Sequence, residues 1–493
     1  MWARSPELRD HTSSTHRYRP LSTQRCSRAD LVISSSPHPA RSRFASAPIV
    51  IAGAAFVASL TQALVVPLLP SLSATLGVSG AATSWLVTST VVVGAIANPL
   101  LGRLGDQYGR RRLLLIALGA FVVGSVICAV AGNLGVMILG RAIQGISTAA
   151  IPLGIGLIAS LAPPARRAAS IALVSAMLGI GGAAGLPLAG IIAAAWGMTG
   201  VFWCSAAVGV FVLFATVVWV PSVPVATRGG TADLFGAALL AIGLVALLLP
   251  VSQGAVWGWH SLDTVALLVL AALTLSGFGV AELRHRDPVI DLRQAARRPV
   301  LLTNIAAVLL GFGFFLSFLA AMTRLQLPGP HGFGLPMVMA GLCMVPGGLL
   351  MVAVAPAAAR VISAFGPRIT LVAAGLIVLL GFVVQLVPGH SILQLVASTS
   401  IVSAGIAVAY AAMPALILDA SPARSAAAAT GVNALARNLG SGIGSAVFGM
   451  LAAKAAPTPA AFAAVYILGA GTAVLAAVAA VAIGRARAHP SAQ

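Results

Sequence analysis

The residues of this 493-residue chain that can do chemistry are few. Ten Asp and Glu stand against 29 Lys and Arg, a formal charge of +19, and the acids lie scattered between apolar runs. A buried multi-carboxylate metal or hydrolase centre therefore has nothing to be built from. Cys26, Cys128, Cys204 and Cys343 are far apart, with no CxxC and no Cys/His pair, which points to four free thiols and to neither zinc nor a disulfide framework. What remains is one dense charged stretch, GRLGDQYGRRR from Gly102 to Arg112, and two arginines, Arg141 and Arg437, embedded in apolar sequence. Asp106 and Arg110 can form a charge pair and reach a neighbouring helix terminus. The glycines of the stretch, Gly102 and Gly109, permit a tight turn between two helices. An arginine inside a membrane span costs about 3 kcal/mol on insertion scales, so Arg141 and Arg437 each need a partner or a water-filled cavity.

The chain that positions these groups is 59% hydrophobic and 8% charged, with a mean hydropathy of +1.01. That composition excludes a large soluble catalytic domain. Nor does the pI near 11.7 indicate nucleic acid, because the basic residues sit between apolar runs and not on one folded face. Each crossing needs ~20 apolar residues, and the runs are continuous, not alternating, which predicts an all-α integral membrane protein and no barrel. Fourteen transmembrane helices are expected. An N-terminal six-helix bundle (48–220) holds 48–70, 81–101, 113–131, 134–160, 168–195 and 200–220. A two-helix central insert and loop (221–298) holds 233–250 and 264–281. A C-terminal six-helix bundle (299–486) holds 299–323, 335–358, 369–388, 392–418, 426–453 and 460–484, followed by a short cytoplasmic tail, 487–493.

Residues 1–47 hold eight arginines and many Ser and Pro, and read as a disordered basic cytoplasmic tail. A transit peptide shares that composition but should be amphipathic, and Pro20, Pro37 and Pro39 interrupt such a helix; a start site set too far upstream is the other reading. With the N-terminus inside, 25 of the 29 basic residues fall in cytoplasmic segments and only Arg324 and Lys454 in outer loops. Both termini are therefore expected in the cytoplasm, with the chain in the plasma (inner) membrane.

The charged stretch recurs in weaker form. ARVISAFGPR, from Ala359 to Arg368, aligns at a constant shift of 257 residues, matching Gly366 to Gly109, Arg360 to Arg103 and Phe365 to Tyr108, with Ser363 replacing Asp106. The helices at 168–195 and 426–453 also share an excess of small residues. A six-helix unit used twice in parallel is expected, an organisation found in secondary transporters whose substrate cavity lies between the halves near the bilayer midplane.

These motifs resemble the major facilitator superfamily, and fourteen spans are similar to its drug:proton antiporter branch. Gly102, Leu104, Asp106, Gly109, Arg110 and Arg111 match the family's GxLaDrxGrk signature, with Gln107 in place of a basic residue; the resemblance implies a latch between the halves that stabilises one access state. LGRAIQGISTA matches RxxqG at Arg141, Gln144 and Gly145, and the resemblance implies an arginine that influences proton transfer. Its place about seven residues into the helix also allows a side chain snorkelling to the outer interface. In the helix at 168–195, Gly181, Gly185 and Gly190 give small faces and Pro187 a bend. There GLPLAG departs from the family's GPxxGG, and gating and simple close packing stand level.

Many relatives carry an acid in the first helix, where this chain has Thr61 and Gln62. No Asp, Glu or His falls inside an expected span, so the intramembrane charge is positive, from Arg141 and from Arg437 beside Asn433 and Asn438, which favours neutral or anionic amphiphiles. Gln62, Gln144, Asn98 and Tyr410 are candidate cavity groups or, equally, helix–helix hydrogen-bonding groups. The expected function is export of small amphiphilic compounds by alternating access, with proton coupling implied by the resemblance. An uncoupled facilitator or a metabolite importer fits the same motifs, and a non-transporting membrane sensor or assembly subunit would not need the latch. An enzyme is not expected, and neither is a cofactor, a metal or a nucleic-acid partner. The expected partners are a small-molecule substrate, protons and the lipid bilayer, around a monomer.

Overall fold

The computed structural model describes residues 39–484, apart from 66–67, 69–71, 73–74, 76, 79, 224–232, 286–287, 330, 388–390, 423–424 and 454–457. Most of both expected tails, with Cys26 and Lys454, therefore lies outside the described residues, which contain helices and no strand. The helices are α1 (Pro39–Ala63), α2 (Gly80–Tyr108), α3 (Arg110–Val130), α4 (Leu134–Leu161), α5 (Pro164–Trp219), α6 (Leu234–Trp257) and α7 (Leu262–Arg284). After the single turn α8 (Leu292–Ala295) come α9 (Arg298–Gln326), α10 (Met337–Leu386), α11 (Ile392–Ala420), α12 (Ala426–Ala453) and α13 (Pro459–Ala482). Nine stretches among the described residues are long and apolar enough to cross a bilayer, with shorter apolar helices at Ser46–Thr61 and Phe235–Val251.

Two helices are too long for one crossing. The 50 residues of α10 would run roughly 75 Å at 1.5 Å per residue, more than twice the hydrocarbon thickness. Gly366, at φ 82° and ψ 160°, breaks it. One short stretch of α11 touches both parts: a methyl on Gly347 would lie 3.0 Å from Ser403 Oγ, and one on Gly381 2.5 Å from Val402 Cγ2. The two parts of α10 thus lie side by side. α5 breaks in the same way at Gly197 (φ 72°), and α1 packs both on Gly181 before the break and on Val212 after it.

Helix ends correct two sequence expectations. α1 begins at Pro39, upstream of the apolar run at 48, because proline is tolerated in the first turn of a helix where its missing N–H is not needed. The charged stretch is also not an open loop from 102 to 112. α2 continues through Gly102 to Tyr108, and Gly109 alone, at φ 107°, makes the turn into α3. L side chains avoid that region, which is why both copies of the motif place glycine there.

One buried apolar cluster is built almost wholly from α9 to α13, joined by Ala172 and Ala176 of α5, and another from α1, α3, α4 and α5. Helices of the two clusters meet along two seams, the first of which also takes in α2, whose Ala97 and Leu101 share a small core with Leu113, Leu153 and Ala427. At one, α12 packs against α2 and the C-terminal part of α4; at the other, α5 packs against α10 and α11. α6 lies beside the first seam and packs on both α2 and α12, where Val92, Leu240, Leu244 and Leu435 share a core.

Candidate functional site

The first seam is closed by Asp106. Its Oδ1 accepts from Arg110 Nε at 2.7 Å and from the Ala427 N–H at 3.3 Å, and its Oδ2 accepts from the Ala428 N–H at 2.8 Å. Ala427 and Ala428 are in the first turn of α12, where backbone N–H groups lack helical partners and carry partial positive charge, so the carboxylate caps that helix. Asp106 is only 8% exposed. The approach needs glycine: a methyl on Gly102 would lie 2.7 Å from the Ala427 carbonyl oxygen, and one on Gly431 2.4 Å from that of Asn98. Arg110 Nη1 donates to the Gly156 carbonyl at 2.8 Å and to Ser160 Oγ at 2.6 Å, tying the pair to α4. Arg111 Nη2 donates to the Val217 carbonyl near the end of α5 at 2.7 Å.

The second copy of the motif keeps the last of these contacts and lacks the first. Arg368, which aligns with Arg111, donates to the Ala480 and Val481 carbonyls at the end of α13. Ser363, in place of Asp106, turns back onto the Arg360 carbonyl at 2.8 Å and is exposed. The alignment pairs Arg111 with Arg368, so this shared tie was there to be found.

Arg141 is 1% exposed, which excludes snorkelling. Its Nε donates to the Leu86 carbonyl at 3.0 Å and its Nη1 to Gln144 Oε1 at 2.8 Å; Gln144 Nε2 in turn donates to Ser125 Oγ at 2.7 Å. Thr90 Oγ1 donates to the Arg141 carbonyl at 3.1 Å, and Arg141 Nη2 has no hydrogen-bond partner. This network joins α2, α3 and α4 within one side of the seams.

Arg437 stands on α12 with Tyr410 of α11 under its guanidinium, the carbon 4.8 Å from the ring centroid. Its Nη1 donates to Asn433 Oδ1 at 3.1 Å, and Asn433 Nδ2 donates to Asn304 Oδ1 of α9 at 3.1 Å. Asn304 was missed in the sequence, although an amide in an otherwise apolar helix was a usable signal. The described acids all lie at helix ends: Asp106 and Asp419 in last turns, Asp233 and Asp291 as N-caps, Asp263 in a first turn and Glu282 in a last turn.

Of the remaining expected residues, Asn98 Oδ1 accepts from Thr148 Oγ1 at 3.2 Å, a helix–helix bond. Methyls on Gly181 and Gly185 would lie 2.5 Å from Ser59 Cβ and Ala63 Cβ, so both serve close packing on α1, while one on Gly190 would lie 3.4 Å from Val338 of α10. The side chains of Gln62 and Pro187 lie outside the described residues. Cys128, Cys204 and Cys343 are free thiols.

Two seams between clusters, a helix-capping carboxylate across one of them and buried arginines define a membrane transporter of the facilitator type. Residues 51–445 match the family model of the Major Facilitator Superfamily, and the chain belongs to that family. It is 28% identical over 404 residues to the multidrug resistance protein Stp of Mycobacterium tuberculosis, covering 81% of this chain and 74% of that one. It is 26% identical over 414 residues to the tetracenomycin C resistance and export protein of Streptomyces glaucescens, covering 82% and 75%. The solved proton:xylose symporter XylE superposes with a TM-score of 0.64 at 17% identity, over 89% of this chain and 95% of that one, a likeness of fold alone. The chain is a multi-span membrane transporter and not an enzyme.

Proposed function

We propose that this transporter exports small amphiphilic compounds across the plasma (inner) membrane by alternating access, in exchange for protons, as a monomer. The observation that carries the reading is the Asp106 carboxylate, which joins its own α2 and Arg110 to the first turn of α12 across a seam. A contact of that kind must break when the seam opens, so it weights one access state. Export as the direction draws on the names of the relatives Stp and the tetracenomycin exporter.

The fourteen-span layout with both termini inside is part of the proposal. Counting α5 and α10 as two spans each and setting α8 aside gives that number. The pairing at the seams supports a parallel repeat, because in each half the second helix meets the fifth of the other: α2 with α12, and α5 with the first part of α10. The test is efflux from proteoliposomes with an imposed pH gradient across a small compound panel. Substrate-dependent proton flux is expected. Substrate movement without proton flux would favour an uncoupled facilitator, a reading favoured by the lack of any mid-helix acid among the described residues.

A further inference from the structure

The guanidinium of Arg437 is placed as a receptor and not only as a strut. It sits in the twelfth residue of the 28-residue α12, far from either helix end, and is 6% exposed. Among the described residues, Nη1 alone of its nitrogens has a protein acceptor, Asn433 Oδ1, and the charge is otherwise met by the face of Tyr410. It forms no ion pair among the described residues. An arginine that only braced the bundle would spend its planar fork on carbonyls or carboxylates, as Arg110 does on Asp106 and the Gly156 carbonyl. Arg141 has one unpartnered nitrogen, but it is sealed from all solvent, whereas the free Nε and Nη2 of Arg437 are not among the sealed atoms.

The surroundings fix the pose of this fork. The Tyr410 ring lies under its carbon, Asn433 holds Nη1, and Asn304 holds Asn433 from α9. Ala407, Ala411 and Leu310 belong to the same buried apolar cluster as Tyr410. A desolvated, pre-positioned guanidinium with open donors beside apolar walls suits an anionic head on an apolar body.

We propose that Arg437 is the seat for the anionic head, a carboxylate or sulfonate, of an amphiphilic substrate. This deepens the export reading and rests on it for the word substrate. Charge recognition at Arg437 is separable from transport by measuring binding.

The experiment uses the full-length protein in lipid nanodiscs with two fluorescent probes of one skeleton, 8-anilinonaphthalene-1-sulfonate and the neutral N-phenyl-1-naphthylamine, with empty nanodiscs as blank. Arg437→Gln should weaken sulfonate binding roughly ten-fold or more and leave the neutral probe within about two-fold; Arg437→Lys should recover part of the loss. In the unmodified protein, decanesulfonate should displace the anionic probe at concentrations where decanol does not, which keeps the test alive if a variant does not fold. Equal effects on both probes, unchanged sulfonate binding in Arg437→Gln, or displacement by decanol as effective as by the sulfonate would each overturn the proposal. Charge-dependent binding at Arg437 with no movement of either probe in proteoliposomes would support the seat and count against export.

Discussion

The carboxylate of Asp106 holds Arg110 with one oxygen and the first turn of α12 with both, so removing its charge acts on two helices at once. Asp106→Asn keeps the size but gives up the charge, at a cost of about 1–3 kcal/mol to the closed seam. Transport should fall about ten-fold or more in proteoliposomes, while the two apolar clusters keep the thermal midpoint within a few degrees; normal efflux at normal expression would remove Asp106 from the cycle. Arg141 makes a second prediction. Arg141→Ala leaves Gln144 and the Leu86 carbonyl without their partner in a sealed site and should abolish transport, whereas Arg141→Lys keeps the charge without the fork and should retain a measurable part. Full efflux in the alanine variant would rule out its role. At this scale the sequence is legible where both partners are side chains. The spacing of Asp106 and Arg110 gives their pair, and a helix terminus was expected as the further partner, but the N–H groups of Ala427 and Ala428 have no side-chain signature, so which terminus it is could not be read.

Glycine decides how closely the helices approach, and its effect depends on which helices they are. A methyl at Gly102 or Gly431 meets backbone across the seam between α2 and α12, while one at Gly440 would lie 2.1 Å from the Val308 carbonyl of α9, inside a single cluster of helices. Gly102→Ala and Gly431→Ala should therefore hold the seam apart and shift the access population with little loss of thermal stability. Gly440→Ala should lower the midpoint by several degrees through overpacking. Cysteine accessibility near the seam, measured beside thermal melts, checks the contrast; a stability loss shared by all three variants would refute it. The existence of long helices follows from apolar runs, and 426–453 coincides with α12 at both ends. Their junctions were less legible, because in GRLGDQYGRRR the composition of a loop hides a helix with one left-handed residue. Gly102 and Gly109 look alike in sequence, yet one allows contact and the other conformation.

Across the whole molecule, the proposed fourteen spans would place His260 and Ala296, both exposed, on opposite sides of the membrane. Single cysteines at these positions in a cysteine-free background, labelled in intact cells with an impermeant thiol reagent, should react at 260 only; reaction at 296 would break the layout. Coupling is a property of the same scale. Every described acid lies at a helix end, so if transport is proton-driven as proposed and these acids carry the proton, neutralising Asp106, Asp233, Asp263, Glu282, Asp291 and Asp419 together should abolish flux with a non-ionisable substrate. Persistent flux would place the carrier elsewhere. One further consequence comes from α6, which lies against both α2 and α12, while α5 and α10 present Ile191, Met339 and Leu349 outward. The two seams therefore offer the surrounding lipid different faces. To a compound already dissolved in the bilayer, the seam of α2 and α12 would present a third helix laid across it, and the seam of α5 and α10 exposed apolar side chains on both of its helices.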